Sequence, residues 1–182
     1  MGSGRISIDK LKVEKIVREL LVELKLDVTD SNYLKTPKRV TEYYQYLRER
    51  EMPKISVFPT TANEMVVLKE YTSWSLCPHH LLPVRYTFRI GYVPNGYVLG
   101  LSKLARIADY VLRDLPLQEE IPIKIIDILE KVLKPMGSGC QVEGHHGCME
   151  IRGIRSEGTF VSTKLKGVML LNPSAHNEFL TS

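Results

Sequence analysis

Apolar positions in this chain follow two different periods, and the change between them divides it. Over residues 7–26, Leu11, Ile16, Leu20 and Leu24, with Val13 and Val17, form a wide apolar stripe at helical spacing, and Ser7 stands where a cap belongs. Thr36-Pro37 opens a second helix, with Thr36 as N-cap and Pro37 in the first turn. It continues through Val40, Tyr43, Tyr44 and Leu47 and stops before Pro53. Residues 1–60 therefore read as an N-terminal helical hairpin, and 61–182 as the core of the same single domain. From Met65 the pattern becomes that of strands. Met65–Leu68 is a short apolar run, Val84–Ile90 alternates apolar and polar, and Tyr97–Leu101 is extended beyond the turn Pro94-Asn95-Gly96. Leu104, Ile107, Ala108, Val111 and Leu112 predict a helix over 102–115. A further helix runs from about Leu117 to Leu133, and Gly137-Ser138-Gly139 breaks it. Cys140–Ile154 and Thr159–Leu171 read as a strand hairpin turning at Ser156-Glu157-Gly158, with a short helix over 176–180 at the end. Helices segregated against antiparallel strands make an α+β fold.

Composition narrows the class. Of 182 residues, 43% are apolar and 25% charged, which excludes a disordered or collagenous chain. The net charge of +4 is too small to indicate a nucleic-acid partner and is compatible with a basic pocket for a polyanion. No segment approaches the ~20 apolar residues of a membrane span, so no membrane partner is expected. No apolar stretch follows a basic start, so no secretory signal is expected either. Three cysteines cannot all pair, which favours a reducing, cytoplasmic setting.

Seven of the eight Cys and His residues lie in two short segments, Cys77-Pro78-His79-His80 and 140–148. A Cys and a His three positions apart can reach one metal from a tight turn. In the second segment, strand alternation would place His146, Cys148, Glu150 and Arg152 on one face. Cys77, His80 and Cys148 together offer three zinc ligands and leave a position for water, whose pKa zinc lowers to about 7. His79 and His146 remain for proton transfer near neutrality. The alternative is a closed structural site, with Cys140 or His145 as fourth ligand.

The segment Ser75–Val84 resembles the Cys-Glu-His-His region of the GTP cyclohydrolase I family. The resemblance continues, in order, through Thr36–Val40, Gly91–Asn95, Val98–Arg106, Leu117–Glu120, Glu143–Met149, Arg152–Arg155 and Asn177–Leu180, spanning about residues 33–180. It implies the tunnelling fold, an antiparallel four-stranded sheet with two helices on one face. It also implies a homo-oligomer, a decamer in most members, whose sheets close into a β-barrel with sites between subunits. The implied reaction hydrolyses GTP at C8 of the purine, releases formate and rearranges the rest to 7,8-dihydroneopterin triphosphate. That product feeds folate, pterin or 7-deazaguanine synthesis.

By position, Cys77, His80 and Cys148 match the family's zinc ligands, His146 its acid/base near the purine, and His79 the histidine on the ribose side. Gln118 and Glu119 match the guanine-holding positions. Ser102, counted with the catalytic positions, joins Lys103, Arg106 and Arg152 at the ribose and triphosphate, and Arg39 joins them from a neighbouring subunit. Pro78 replaces an acidic residue common in the family, Gly147 stands where a larger residue is common, and His145 adds an imidazole beside His146. Other readings are a different tunnelling-fold enzyme, or a catalytically altered homologue that binds purine or pterin.

Overall fold

The computed structural model describes residues 6–181. The chain forms two compact units, one up to Glu51 and one from Met52 onward.

In the first unit, α1 (Lys10–Glu23) and α2 (Thr36–Arg48) pack on each other. Asp9, not Ser7, caps α1: its carboxylate accepts from the Lys12 amide at 3.2 Å. Thr36 is already helical and makes no cap bond, while Pro37 sits in the first turn as expected. Val17 and Leu21 are buried, whereas Leu11, Ile16, Leu20 and Leu24 are 54–80% exposed. A two-helix unit has one narrow seam, so most of the predicted stripe stays outside it.

The second unit holds β1 (Val57–Pro59), β2 (Val66–Leu76), β3 (Pro83–Val93), β4 (Tyr97–Leu99), α3 (Ser102–Leu112), α4 (Glu120–Leu133), β5 (Gly137–His146), α5 (Gly147–Glu150), β6 (Thr159–Gly167), α6 (Val168–Leu171) and α7 (Pro173–Thr181). An antiparallel four-stranded sheet has the order β2-β3-β5-β6, and β1 pairs with β4 in a separate ribbon. Val84, Tyr86, Phe88, Ile90 and Tyr92 of β3 share one face with Cys140 and Val142 of β5. On that face they meet Ile107, Val111 and Leu112 of α3 and Ile121, Ile125 and Leu129 of α4. Each such aliphatic side chain removed from water contributes about 1.5–3 kcal/mol. Both helices thus cover the same side of the sheet, an α+β layer architecture.

Several boundaries differ from the sequence expectation. β2 runs on to Leu76, and a bulge at Lys69-Glu70, opposite Arg89, reverses which residues face the helices. Leu68 faces them before the bulge, and Tyr71, Ser73 and Ser75 after it. Tyr71 and Ser73 donate to Asp109 of α3 at 3.0 and 2.6 Å, and Ser75 donates to the Leu112 carbonyl. α4 begins at Glu120 rather than Leu117 and ends at Leu133 as expected, but Lys134, in the left-handed region at φ 47°, stops it, and Gly137-Ser138-Gly139 opens β5 instead. β5 ends at His146, and one helical turn follows. The alternation expected through Arg152 therefore fails beyond His146. β6 likewise ends at Gly167, before α6.

At the far end of the sheet, Phe179 of α7 packs on the face away from α3 and α4, with Val93, Leu165 and Met169. Gly139 makes room for it: a Cβ there would stand 3.1 Å from the Phe179 ring.

Candidate active site

The loop joining β2 to β3 is a tight local structure. The Cys77 amide donates to the Leu82 carbonyl at 2.8 Å, and the His80 and Leu81 amides donate back to the Cys77 carbonyl at 3.3 and 2.8 Å. Leu81 lies at φ 53°, a conformation that costs a branched side chain of order 1–3 kcal/mol and lets the loop close. The result turns the His80 ring back onto Cys77, with Sγ and Nδ1 3.4 Å apart. His79 Nδ1 lies 3.8 Å from the same sulfur.

The third member arrives from the other end of the sequence. Because the chain leaves β5 in a helical turn, Cys148 swings to the Cys77 loop. Ligand atoms of Cys77, His80 and Cys148 lie within 4.8 Å of one another, a group able to hold a metal ion. Burial, and then the nearby Cys77 thiol, push the Cys148 pKa up. Two thiols so placed lose their protons when a cation takes up the charge. Cys140 is fully buried in the core, outside this group of ligand atoms, and burial pushes its thiol far up.

A cavity of about 480 Å³ opens over this cluster, bordered by Cys77, His79, His80, Glu119, His146 and Cys148. His146 ends β5 on the helix-facing side, opposite Val84. Burial pulls its pKa below the ordinary imidazole value, against the opposing pull of Glu119 and Glu150, which favours the uncharged ring. Its Nε2 lies 2.7 Å from Gln118 Oε1. Gln118 and Glu119 stand on the turn before α4, not within it: Gln118 is buried and Glu119 is exposed at the cavity. The Arg152 guanidinium rests against His80 Nε2.

The remaining expected residues are elsewhere. Ser102, Lys103 and Arg106 occupy the first turns of α3, with Ser102 and Arg106 exposed, and none borders the cavity. Arg39 is exposed on α2 of the first unit. His145, opposite Arg85, faces the other side of the sheet and borders a second hollow with Trp74.

Sequence reasoning missed the aromatic walls of the site. Tyr86 and Phe160 both stand edge-on to His146, at 6.0 and 5.7 Å between ring centres. The signal for such crowding was Gly144, an isolated glycine inside a strand.

The GTP cyclohydrolase I family model matches residues 13–182. A protein named "GTP cyclohydrolase 1 2" from Nostoc sp. is 34% identical over 181 residues, covering 96% of this chain and 84% of its own. "GTP cyclohydrolase 1" from Hahella chejuensis is 36% identical over 179 residues, covering 93% and 95%. Among solved structures, the archaeosine synthase QueF-Like in the apo form aligns with 59% of this chain and 97% of its own, at 17% identity and a TM-score of 0.46.

Proposed function

Because this chain belongs to the GTP cyclohydrolase I family, we propose that it hydrolyses GTP at C8 of the purine, releasing formate and rearranging the remainder to 7,8-dihydroneopterin triphosphate. The observation that carries this reading is the convergence of Cys77, His80, Cys148, His146 and Glu119 on one cavity.

The metal in this reading is zinc. Tetrahedral zinc sets thiolate and imidazole donor atoms roughly 3.5 Å apart, and Cys77 Sγ and His80 Nδ1 stand at 3.4 Å. The donor set, two thiols and one imidazole, is the kind zinc accepts while keeping a position open. Bound there, zinc supplies the Lewis acidity that makes water nucleophilic near pH 7.

The chain's own residues do the rest. His146, its uncharged form favoured by burial and its ring walled in by aromatic rings, accepts and returns protons at the purine. His79, at the rim of the same cavity, serves the ribose side. The Glu119 carboxylate accepts from the N1–H and 2-amino edge of guanine, a pairing few other groups match. Gln118, expected at the same purine, borders the cavity with its amide already engaged.

Ser102, Lys103, Arg106 and Arg152 take the ribose and triphosphate, with Arg39 adding positive charge. Lys103 and Arg106 sit where a helix N-terminus already favours phosphate. Since three of these residues stand away from the cavity, the complete site forms between copies of the chain in a homo-oligomer, a decamer with a barrel of joined sheets. The open edges of the sheet at β2 and β6, and the exposed stripe of α1, support that assembly. In this reading both units work as one cyclohydrolase domain of the tunnelling fold. Its product serves folate, pterin or 7-deazaguanine synthesis.

Incubating zinc-loaded protein with GTP, while following formate and pterin fluorescence, tests this. Both products are expected. Formate without pterin would end the reaction at ring opening, and neither product with zinc bound would overturn the reading.

A further inference from the structure

Gln118 is only 7% exposed, and both ends of its amide are occupied. Nε2 donates to the Phe160 carbonyl of β6 at 2.7 Å, and Oε1 lies 2.7 Å from His146 Nε2. The orientation of the amide follows from the first contact. A backbone carbonyl can only accept, so turning the amide over would set two oxygens against each other. Oε1 therefore faces His146, and being an acceptor it requires a proton on His146 Nε2. Tyr86 and Phe160 stand edge-on to the same ring, at interplanar angles of 88° and 89°. Beneath them Gly144 leaves just enough space. A Cβ there would run into Gln118 Oε1 and lie 3.0 Å from both His146 Nε2 and Tyr86 Cε1.

The geometry points to Gln118 as a positioning residue that locks His146 in the Nε2–H tautomer, so that Nδ1 carries the lone pair used for proton transfer at the purine. This rests on the cyclohydrolase reading for its chemistry, and it moves Gln118 from holding guanine to holding the histidine. Among the described residues His146 makes no hydrogen bond through Nδ1, so none of them competes with substrate for that lone pair.

Two variants test it. Gln118→Leu removes the amide at similar volume, and Gly144→Ala pushes a methyl into the contact while keeping both partners. In zinc-loaded protein labelled with 15N-histidine, the ring nitrogen shifts report which nitrogen bears the proton, and His146→Gln identifies the signal among the five histidines. The wild type should show His146 protonated at Nε2, and both variants a mixture of tautomers. In turnover, kcat should fall about tenfold or more while GTP affinity stays within about twofold.

An Nδ1–H tautomer in the wild type would overturn the inference. So would unchanged kcat with weakened GTP binding in Gln118→Leu, the pattern of a purine contact. If the tautomer depends on Gln118 but the wild type releases no formate, the functional reading fails and the clamp stands. If one variant does not fold, the other and the wild-type spectrum still decide.

Discussion

Cys148 joins the Cys77 loop from a separate part of the chain, and the metal cluster depends on it. The two other candidate ligands sit three residues apart, in a loop closed by its own backbone hydrogen bonds. Removing the distant thiol should leave that loop intact but undo the site. Cys148→Ser is expected to purify with little zinc, by metal analysis, and to release no formate. Glu119→Ala separates recognition from chemistry. Its carboxylate lies outside the metal cluster and is exposed, so zinc content and oligomer size should not change. GTP binding should weaken by a hundredfold or more, since about 3 kcal/mol of charge-assisted hydrogen bonding is lost; calorimetric titration reads it directly, and retained tight binding would contradict the guanine role. Pro78 is exposed on the cavity rim, at the position where the family resemblance implies an acidic residue. A change in kcat on Pro78→Glu would show that the substituted position takes part, and an unchanged rate that it does not.

At the scale of elements, the site depends on how α3 and α4 are fastened to the sheet. Asp109 of α3 accepts from two hydroxyls of β2, Tyr71 and Ser73, both turned toward it by the bulge at Lys69-Glu70. Asp109→Ala removes both acceptors from a part-buried contact and should lower stability by about 2–3 kcal/mol. A lower urea midpoint with unchanged slope, at fixed protein concentration, is the expected measurement. The same elements show where local patterns mislead. The bulge hid most of β2, because an inserted residue breaks the alternation by which a strand is recognised. Past His146 the error was opposite. Cys148-Met149-Glu150 fits a strand pattern, yet the chain takes one helical turn there, held by a hydrogen bond that the Ile151 amide donates to the Gly147 carbonyl.

For the whole molecule, the proposed division of the site between copies has a direct consequence. The metal cluster and the α3 cations do not border the same cavity within one chain. A site shared between copies can be assembled from two different defective chains. Cys148→Ser and Lys103→Ala should each be inactive alone. Subunits mixed by co-expression should recover roughly a quarter of wild-type turnover, the fraction of interfaces in which both intact halves meet. No recovery from mixed oligomers of confirmed composition would show that each chain carries its own complete site.

The sequence by itself determined whatever depends on near neighbours. The helical periods of α3 and α4 follow from residues three and four apart, and the Cys77–His80 pairing follows from a single turn. The collinear motifs were sufficient to indicate the family, because residue types in order need no coordinates to be read. Tertiary structure decided what depends on distant parts of the chain. It brought Cys148 onto Cys77, placed Gln118 between Phe160 and His146, and left Leu11, Ile16, Leu20 and Leu24 outside their helical seam. Periodicity reports that a face is apolar, but it does not say what covers that face. Likewise, a polar side chain's type limits its possible partners, and only the fold selects among them.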